Sequence, residues 1–270
     1  AAGRIVLASS HLGPKFFLLR GLMQRNKRAF TGAVGATALF VEDVLADPAW
    51  AAELAPDDGT HGRKNWFKYQ IVDAVFKRWA GSGALRGVVW VDGDTWLFPQ
   101  GQAWRAFLER AAGVDLLYGA DKGGVNAGVF WIRPSNFTVR YLRRFLALRG
   151  DFDDQTCIRN WSRAHDWPQH AILPAEESGV VQCRYRCQRL TALCCSNASW
   201  NVHWPAHDWA DLVLRVAEVT LGTTAVTDAV QAAERWFCWL GARVAGPVKG
   251  CGHVEGANIT STDTGGLNSV

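Results

Sequence analysis

Apolar positions along the chain follow two periods. Short runs rich in β-branched residues have the length of buried strands, and longer segments repeat every three or four residues, as helices do. Arg4 to Ser9 is the first strand-like run, and Leu12-Gly13-Pro14 breaks it. Lys15 to Lys27 carries helical spacing through Phe16, Leu19, Leu22 and Met23. Ala36 to Val41 predicts a second strand ending in Glu42-Asp43. Asp57 to Gly62 is a polar loop. Asn65 is placed to cap a helix from Trp66 to Trp79, with Trp66, Tyr69, Val72, Phe76 and Trp79 on its apolar face. Next comes Val88-Val89-Trp90-Val91, a buried strand ending in Asp92-Gly93-Asp94. Strand, helix, strand is the start of a doubly wound α/β sheet.

The pattern continues with a helix over Gln102 to Ala112, a strand over Asp115 to Gly119 and a flexible loop over Asp121 to Gly124. Val125 to Arg133 is a strand with Gly128 in its middle. Glycine there marks either a bulge or a close approach by backbone or ligand. Pro134-Ser135 opens a helix through Phe137, Tyr141, Leu142, Phe145 and Leu148. Asp151 to Gln155 caps another over Thr156 to Arg163. His165 to Cys195 shows few regular elements. Trp200 to Trp204 is strand-like, and Asp208 to Val219 and Asp228 to Arg243 are amphipathic helices. The pattern fits a single domain over 1–245 and a flexible tail over 246–270, where Gly, Ser, Thr and Asn dominate.

Composition narrows the function classes. With 49% hydrophobic and 20% charged residues the chain can build a core. A net charge of +4 is too small and too dispersed to argue for nucleic acid. No run approaches the roughly 18–20 apolar residues that span a bilayer. No signal peptide is visible, since Ile5 already lies in a strand-like run, so any anchor is expected outside this chain. Asn136, Asn160, Asn197 and Asn258 each begin an Asn-x-Ser/Thr glycosylation tripeptide. Of seven cysteines, Cys183, Cys187, Cys194 and Cys195 cluster in an arginine-rich stretch. Their spacing fits disulfides better than a zinc site, and both features favour a secretory-pathway lumen.

The chemistry centres on Asp92-Gly93-Asp94. Strand residues i and i+2 share a face, so if strand geometry holds as far as Asp94 both carboxylates leave it on one side, and if the strand frays there Gly93 lets the turn bend freely. Held together they repel, and a hard divalent cation would relieve that and bind phosphate. The alternative is an Asp-Gly turn with exposed acids. Asp153-Asp154-Gln155 reads locally as a helix N-cap with a favourable dipole interaction. His203 reads locally as a structural histidine in an aromatic strand. A phosphatase-type Asp-x-Asp motif, with the first Asp as nucleophile, wants Thr or Val where Trp96 stands. Trp161, Trp167, Trp200 and Trp204 are candidates to line a groove by aromatic stacking, against ordinary packing.

Taken together, several blocks resemble glycosyltransferase family 34, over about Arg4 to Val216. Asn26-Lys27-Arg28-Ala29-Phe30 with Gly35, Trp66-Phe67-Lys68, and Val91-Asp92-Gly93-Asp94-Thr95 are similar to its first three blocks. Asn126-Ala127-Gly128-Val129-Phe130 with Arg133, Asp153-Asp154-Gln155, and Val202-His203-Trp204-Pro205-Ala206 are similar to the rest. The resemblance implies a GT-A (nucleotide-diphospho-sugar transferase) fold: a Rossmann-like mixed central sheet with helices on both faces. It implies Mn2+ (or Mg2+), a UDP-sugar or related nucleotide-sugar donor, and retaining transfer to an oligosaccharide, polysaccharide or glycoprotein acceptor. It implies Asp92, Asp94 and His203 on the metal and Asp153, Asp154 and Gln155 beside the donor sugar. Lys68, Asn126 and Gly128 would contact the donor. It also implies the Golgi lumen, with a type II membrane anchor not in this chain. The family's lysine after the histidine is replaced by Ala206, His207 and Asp208, leaving Lys68, Lys122 or Lys249 to supply that charge. Family 77, which shares the Asp-x-Asp, Asn-x-Gly and Asp-Gln blocks, and a non-catalytic sugar-nucleotide or glycan-binding member are the alternatives.

Overall fold

The computed structural model describes residues 3–12, 16, 20–51, 54, 61–79, 83–98, 101–121, 124–147, 153–164, 169–174, 180–182 and 200–203. All lie in the compact unit Ala1–His207. The cysteine cluster, the helices expected after Asp208, the boundary at 245 and the tail lie outside the described residues.

Six strands form the central sheet: β1 (Arg4–Ser10), β2 (Thr37–Phe40), β3 (Leu85–Asp92), β5 (Leu116–Asp121), β6 (Gly124–Ile132) and β7 (His170–Pro174). Their order is β2-β1-β3-β6-β5-β7. The β2, β1 and β3 strands are parallel, β6 runs antiparallel to β3 and β5, and β7 is parallel to β5. Side chains alternate across this sheet and build two cores. Val88 and Trp90 face one core with Tyr69, Val72 and Phe145. That core holds α4 (His61–Trp79), α6 (Asn136–Ala147) and α7 (Asp154–Ala164) against the sheet. Val89 and Val91 face the other with Phe30, Trp104, Phe107 and Trp200. Phe30 belongs to α1 (Arg20–Val34), and Trp104 and Phe107 to α5 (Gly101–Ala112). Helices therefore cover both faces, as the doubly wound pattern predicts. Two short helices, α2 (Val41–Ala46) and α3 (Pro48–Ala51), follow β2. A small sheet ordered β4-β9-β8 joins β4 (Thr95–Leu97), β9 (Asn201–His203) and β8 (Val180–Gln182).

Several predicted boundaries move. The first helix runs on to Val34, because Lys27, Phe30 and Thr31 prolong the buried stripe that Met23 begins. Gly35 ends it at φ 70, and Ala36 N–H donates to Thr31 O at 2.9 Å, a left-handed C-terminal cap. Val41 does not end the second strand but opens α2, placing Glu42 and Asp43 in its first turn, where acids suit the helix dipole. α4 starts at His61 rather than after Asn65, since its polar first turn carries no apolar signal. Trp66 and Lys68 consequently sit inside the helix. Asp121 and Gly124 extend β5 and β6 rather than lying in a loop. β7 and β8 appear in the stretch read as irregular. Trp200 is fully buried core, not a groove residue.

Candidate active site

The parallel strands and the start of β6 bring their chemistry to one edge of the sheet, the carboxyl ends of β1 and β3, where ligands of α/β proteins settle. Asp92 is the last residue of β3, with about a third of its side chain exposed. Trp90 Nε1–H donates to Asp92 Oδ1 at 2.6 Å. Gly93 turns the chain against β1. A Cβ there would lie 2.4 Å from Ser10 O and 2.6 Å from the Phe16 ring, so only glycine fits. Asp94 is buried. β4 then pairs antiparallel with β9, Thr95 opposite His203. The backbone of His203 thus lies next to the residue that follows Asp94. Its side chain is outside the described part.

Lys68 reaches this edge from α4. Its Nζ donates to Ala127 O at 2.9 Å, pairs with Asp154 Oδ2 at 2.9 Å and lies 3.8 Å from Asp92 Oδ1. Ala127 O points there because β6 bulges. Tyr118 pairs with Phe130 but the next residue, Gly119, pairs with Asn126, so Ala127, Gly128 and Val129 fall between the two registers. Asn126 Oδ1 accepts the Gly128 N–H at 2.7 Å and fixes the bulge. Burial pulls the Lys68 ammonium down, but Asp154 and then Asp92 outweigh it, and its pKa lies above the ordinary lysine value. Burial raises the Asp154 pKa, with Asp92 and Asp153 adding to it and Lys68 opposing, and it lies above the ordinary aspartate value.

Asp154 opens α7 and is 1% exposed. Its Oδ1 accepts the Gln155 N–H at 3.0 Å. Behind it, Tyr69 OH donates to Oδ2 at 3.5 Å, Tyr118 OH to Tyr69 OH at 3.4 Å, and the Tyr118 and Tyr141 hydroxyls lie 3.1 Å apart. Burial raises all three phenols, which stay protonated. Asp153 is exposed and caps α7, accepting from Thr156 N–H at 2.9 Å and Thr156 Oγ–H at 2.6 Å. These bonds lower its pKa despite partial burial. Gln155 is half-buried.

On the α1 side, Lys27 is fully buried beneath the aspartate turn. Its Nζ donates to Thr95 O at 2.9 Å and Gly93 O at 3.2 Å, and lies 3.3 Å from His11 Nε2. Burial pushes Lys27 down to about 7, opposed by Asp94, Asp92 and Glu42. His11 faces Glu42 through Nδ1 at 3.6 Å, and its backbone N–H donates to the same carboxylate. Burial pushes His11 down to about 4, with Glu42 opposing and Lys27 adding, so its imidazole is neutral.

Scanned against protein families, the chain matches no family model, and no curated protein matches it in sequence. Solved structures do match. One is a glycosyltransferase involved in the glycosylation of the major capsid of PBCV-1, at TM-score 0.56 and 10% identity, over 77% of this chain and 98% of that one. The chain has a GT-A fold. Two further glycosyltransferases align less closely. GlyE of Streptococcus pneumoniae gives TM-score 0.47 and 11% identity, over 88% of this chain and 64% of that one. Mouse xyloside xylosyltransferase 1, apo form, gives 0.38 and 9%, over 74% and 97%.

Within this GT-A fold, the residues singled out from sequence divide. Asp92, Lys68, Ala127 of the Asn126–Gly128 bulge, and Asp154 meet at one point. Arg133 of the same sequence block lies at the other end of β6, where it pairs with Asp115 at 2.5 Å. Among the described residues no three His, Cys, Asp or Glu side chains converge on a metal position. Two carboxylates at a strand end are nonetheless the hard oxygen donors that Mn2+ or Mg2+ takes, and His203 is a suitable third donor for Mn2+. Lys122 and Lys249 lie outside the described residues. No site role follows from sequence for Lys27, His11 or the three tyrosines, although Lys27 stands in the Asn26–Phe30 block and Tyr69 and Tyr141 on apolar helix faces. One signal was available: Lys27 occupies the apolar stripe of α1, four residues after Met23.

Proposed function

We propose that this chain is a glycosyltransferase that moves a sugar from a nucleotide-diphosphate donor, a UDP-sugar by the family resemblance, to a glycan or glycoprotein. The observation that carries the reading is the Asp92-Gly93-Asp94 turn at the carboxyl end of β3, with the His203 backbone drawn to it by β4–β9 pairing. Asp92, Asp94 and His203 would hold Mn2+ or Mg2+. The cation would supply Lewis-acid stabilisation of the departing diphosphate. Lys68 keeps Asp92 and the bulge carbonyl in place, and its ammonium is already occupied by protein partners. It therefore acts here as an organiser of the site, and the phosphate charge comes from elsewhere. Asp154 is enclosed by Lys68 and Tyr69. Gln155, one residue on and less buried, is the group we place beside the donor sugar, stabilising positive charge as the glycosidic bond breaks. Retention of configuration follows from the family resemblance. The exposed Asn136 and Asn160, each starting a glycosylation tripeptide, support a secretory lumen such as the Golgi. Among the described residues no helix is long and apolar enough to cross a membrane.

The test is release of nucleoside diphosphate by the purified chain from UDP-glucose, UDP-galactose, UDP-xylose and GDP-mannose, with Mn2+ and with EDTA. Turnover of one donor that EDTA abolishes, and that Asp94→Asn lowers at least about 100-fold, is the expected result. No turnover of any donor, or turnover indifferent to both EDTA and Asp94→Asn, would overturn the proposal.

A further inference from the structure

α1 delivers two adjacent side chains to the underside of the aspartate turn. The Asn26 carboxamide reads Leu97 as a paired strand would: its Nδ2–H donates to Leu97 O at 2.9 Å and its Oδ1 accepts Leu97 N–H at 2.9 Å. Lys27 takes the carbonyls on either side of Asp94, Gly93 O at 3.2 Å and Thr95 O at 2.9 Å. Positions 93, 95 and 97 are thereby tied to one helix. The far edge of β4 is the one that pairs with β9 and holds His203 opposite Thr95.

As a core residue Lys27 is a poor choice. An ammonium taken fully out of water costs several kcal/mol unless it is well paired. Among the described residues its bonding partners are two carbonyls and an imidazole, not a carboxylate. A methionine would fill the same stripe of α1 without that cost. What the ammonium adds is geometry. With both flanking carbonyls pinned, the Asp94 backbone is held in place, and with it the Cα–Cβ bond from which the carboxylate projects. Gly93, pressed on Ser10 O and Phe16, closes the other side of the turn.

We infer that Asn26 and Lys27 are positioning residues for the Asp92-Gly93-Asp94 turn, holding it in the form that receives a divalent cation and a diphosphate. This rests on the function proposed above. Both side chains act on the turn through its backbone, at residues 93, 95 and 97. Outer groups that orient metal-binding residues typically contribute about 10- to 100-fold in metal affinity.

The experiment uses the full chain, wild type, Lys27→Met and Asn26→Ala, with two readouts. One is Mn2+ binding in the presence of UDP, followed by the spin resonance of free Mn2+. The other is amide exchange of the peptide spanning residues 93–97, compared with β1 and β3. Lys27→Met is expected to weaken Mn2+ binding about 10- to 100-fold, to speed exchange in 93–97 more than in the central strands, and to recover most of its turnover at saturating Mn2+. Asn26→Ala should do the same to a smaller extent, and carries the test if Lys27→Met does not fold. Unchanged Mn2+ affinity and unchanged exchange in a folded variant would overturn the inference. If wild type itself binds no Mn2+, the function proposed above is what fails. The exchange readout then decides the clamp alone: selective loosening of 93–97 upholds it, and its absence overturns it.

Discussion

Two lysines are buried beside the same pair of aspartates, and they are held in opposite ways. Lys68, on α4, has a carboxylate at 2.9 Å and a second at 3.8 Å. Lys27, on α1, has two backbone carbonyls and a neutral imidazole. Burial works against the charge on both. At Lys68 the nearby carboxylates win and the pKa rises, whereas at Lys27 they are farther off and it falls to about 7. The lesson is that a full opposite charge at contact distance offsets desolvation, and carbonyl dipoles do so only in part. The two sides of the turn thus divide the work. The α4–α7 side carries the stability of an ion pair. The α1 side carries shape, set by bonds to the backbone groups of residues 93, 95 and 97.

The largest expected effect breaks the Lys68 side. Lys68→Met leaves Asp154, 1% exposed, without its cation. Removing one partner of a buried pair costs about 3–5 kcal/mol, so urea unfolding should show a loss of that size. Adding Asp154→Leu should restore much of it, because the orphaned charge is then gone as well. A single-variant loss below about 1 kcal/mol, the range of an exposed pair, would erase the contrast drawn here.

Lys27→Met should cost less. It strands two carbonyls, each worth about 1–3 kcal/mol if left without a donor, but it also removes a charge that was expensive to bury. Its unfolding free energy should therefore lie between wild type and Lys68→Met. A loss equal to that of Lys68→Met would mean that the α1 side also rests on a strong ion pair.

The smallest effect is a pH slope. His11 has an ordinary value of 6.5 and sits at about 4 when folded. Between those values the unfolded chain binds the proton that the folded chain excludes. Stability therefore falls as pH drops from about 6.5 to about 4, and the contribution is gone below that. Melting temperatures measured at pH 7, 5.5 and 4.5 should decline less steeply in His11→Gln than in wild type. Parallel declines would show that His11 takes no part in the acid limb, and that the imidazole beside Lys27 is not held neutral by its burial.

Much of the architecture was legible in the chain. β1, β3, α5, α6 and β9 lie close to where hydrophobic period places them, because each buries a face whose spacing is set by its own geometry. The misplacements share a cause. α4 begins with a polar turn, and a helix turn held by backbone bonds leaves no apolar trace. β7 and β8 are short, and the pairing that makes them strands comes from β5 and β9, which are distant in sequence. At the site, Asp92 and Asp94 were visible as two acids one residue apart at the end of an apolar run. The bulge at Asn126–Gly128 was visible as a glycine inside a strand. Asp153 reads locally as a cap, and its carboxylate does bond the α7 N-terminus.

What the sequence determined by itself was the succession of strands and helices, and with it the kind of sheet and the edge to which Asp92 is delivered. Periodicity is a local property, and burial of one face per element is enough to express it. What only the tertiary structure decided was the fate of the charges. Lys27 and Lys68 are chemically the same residue on similar amphipathic helices, and nothing within either helix tells them apart. The difference lies in partners 59 to 86 positions away, among them Ala127 O and Asp154 for one and Gly93 O and Thr95 O for the other. A buried charge takes its energy from the few groups within a few ångströms, and only the folded chain determines which groups those are.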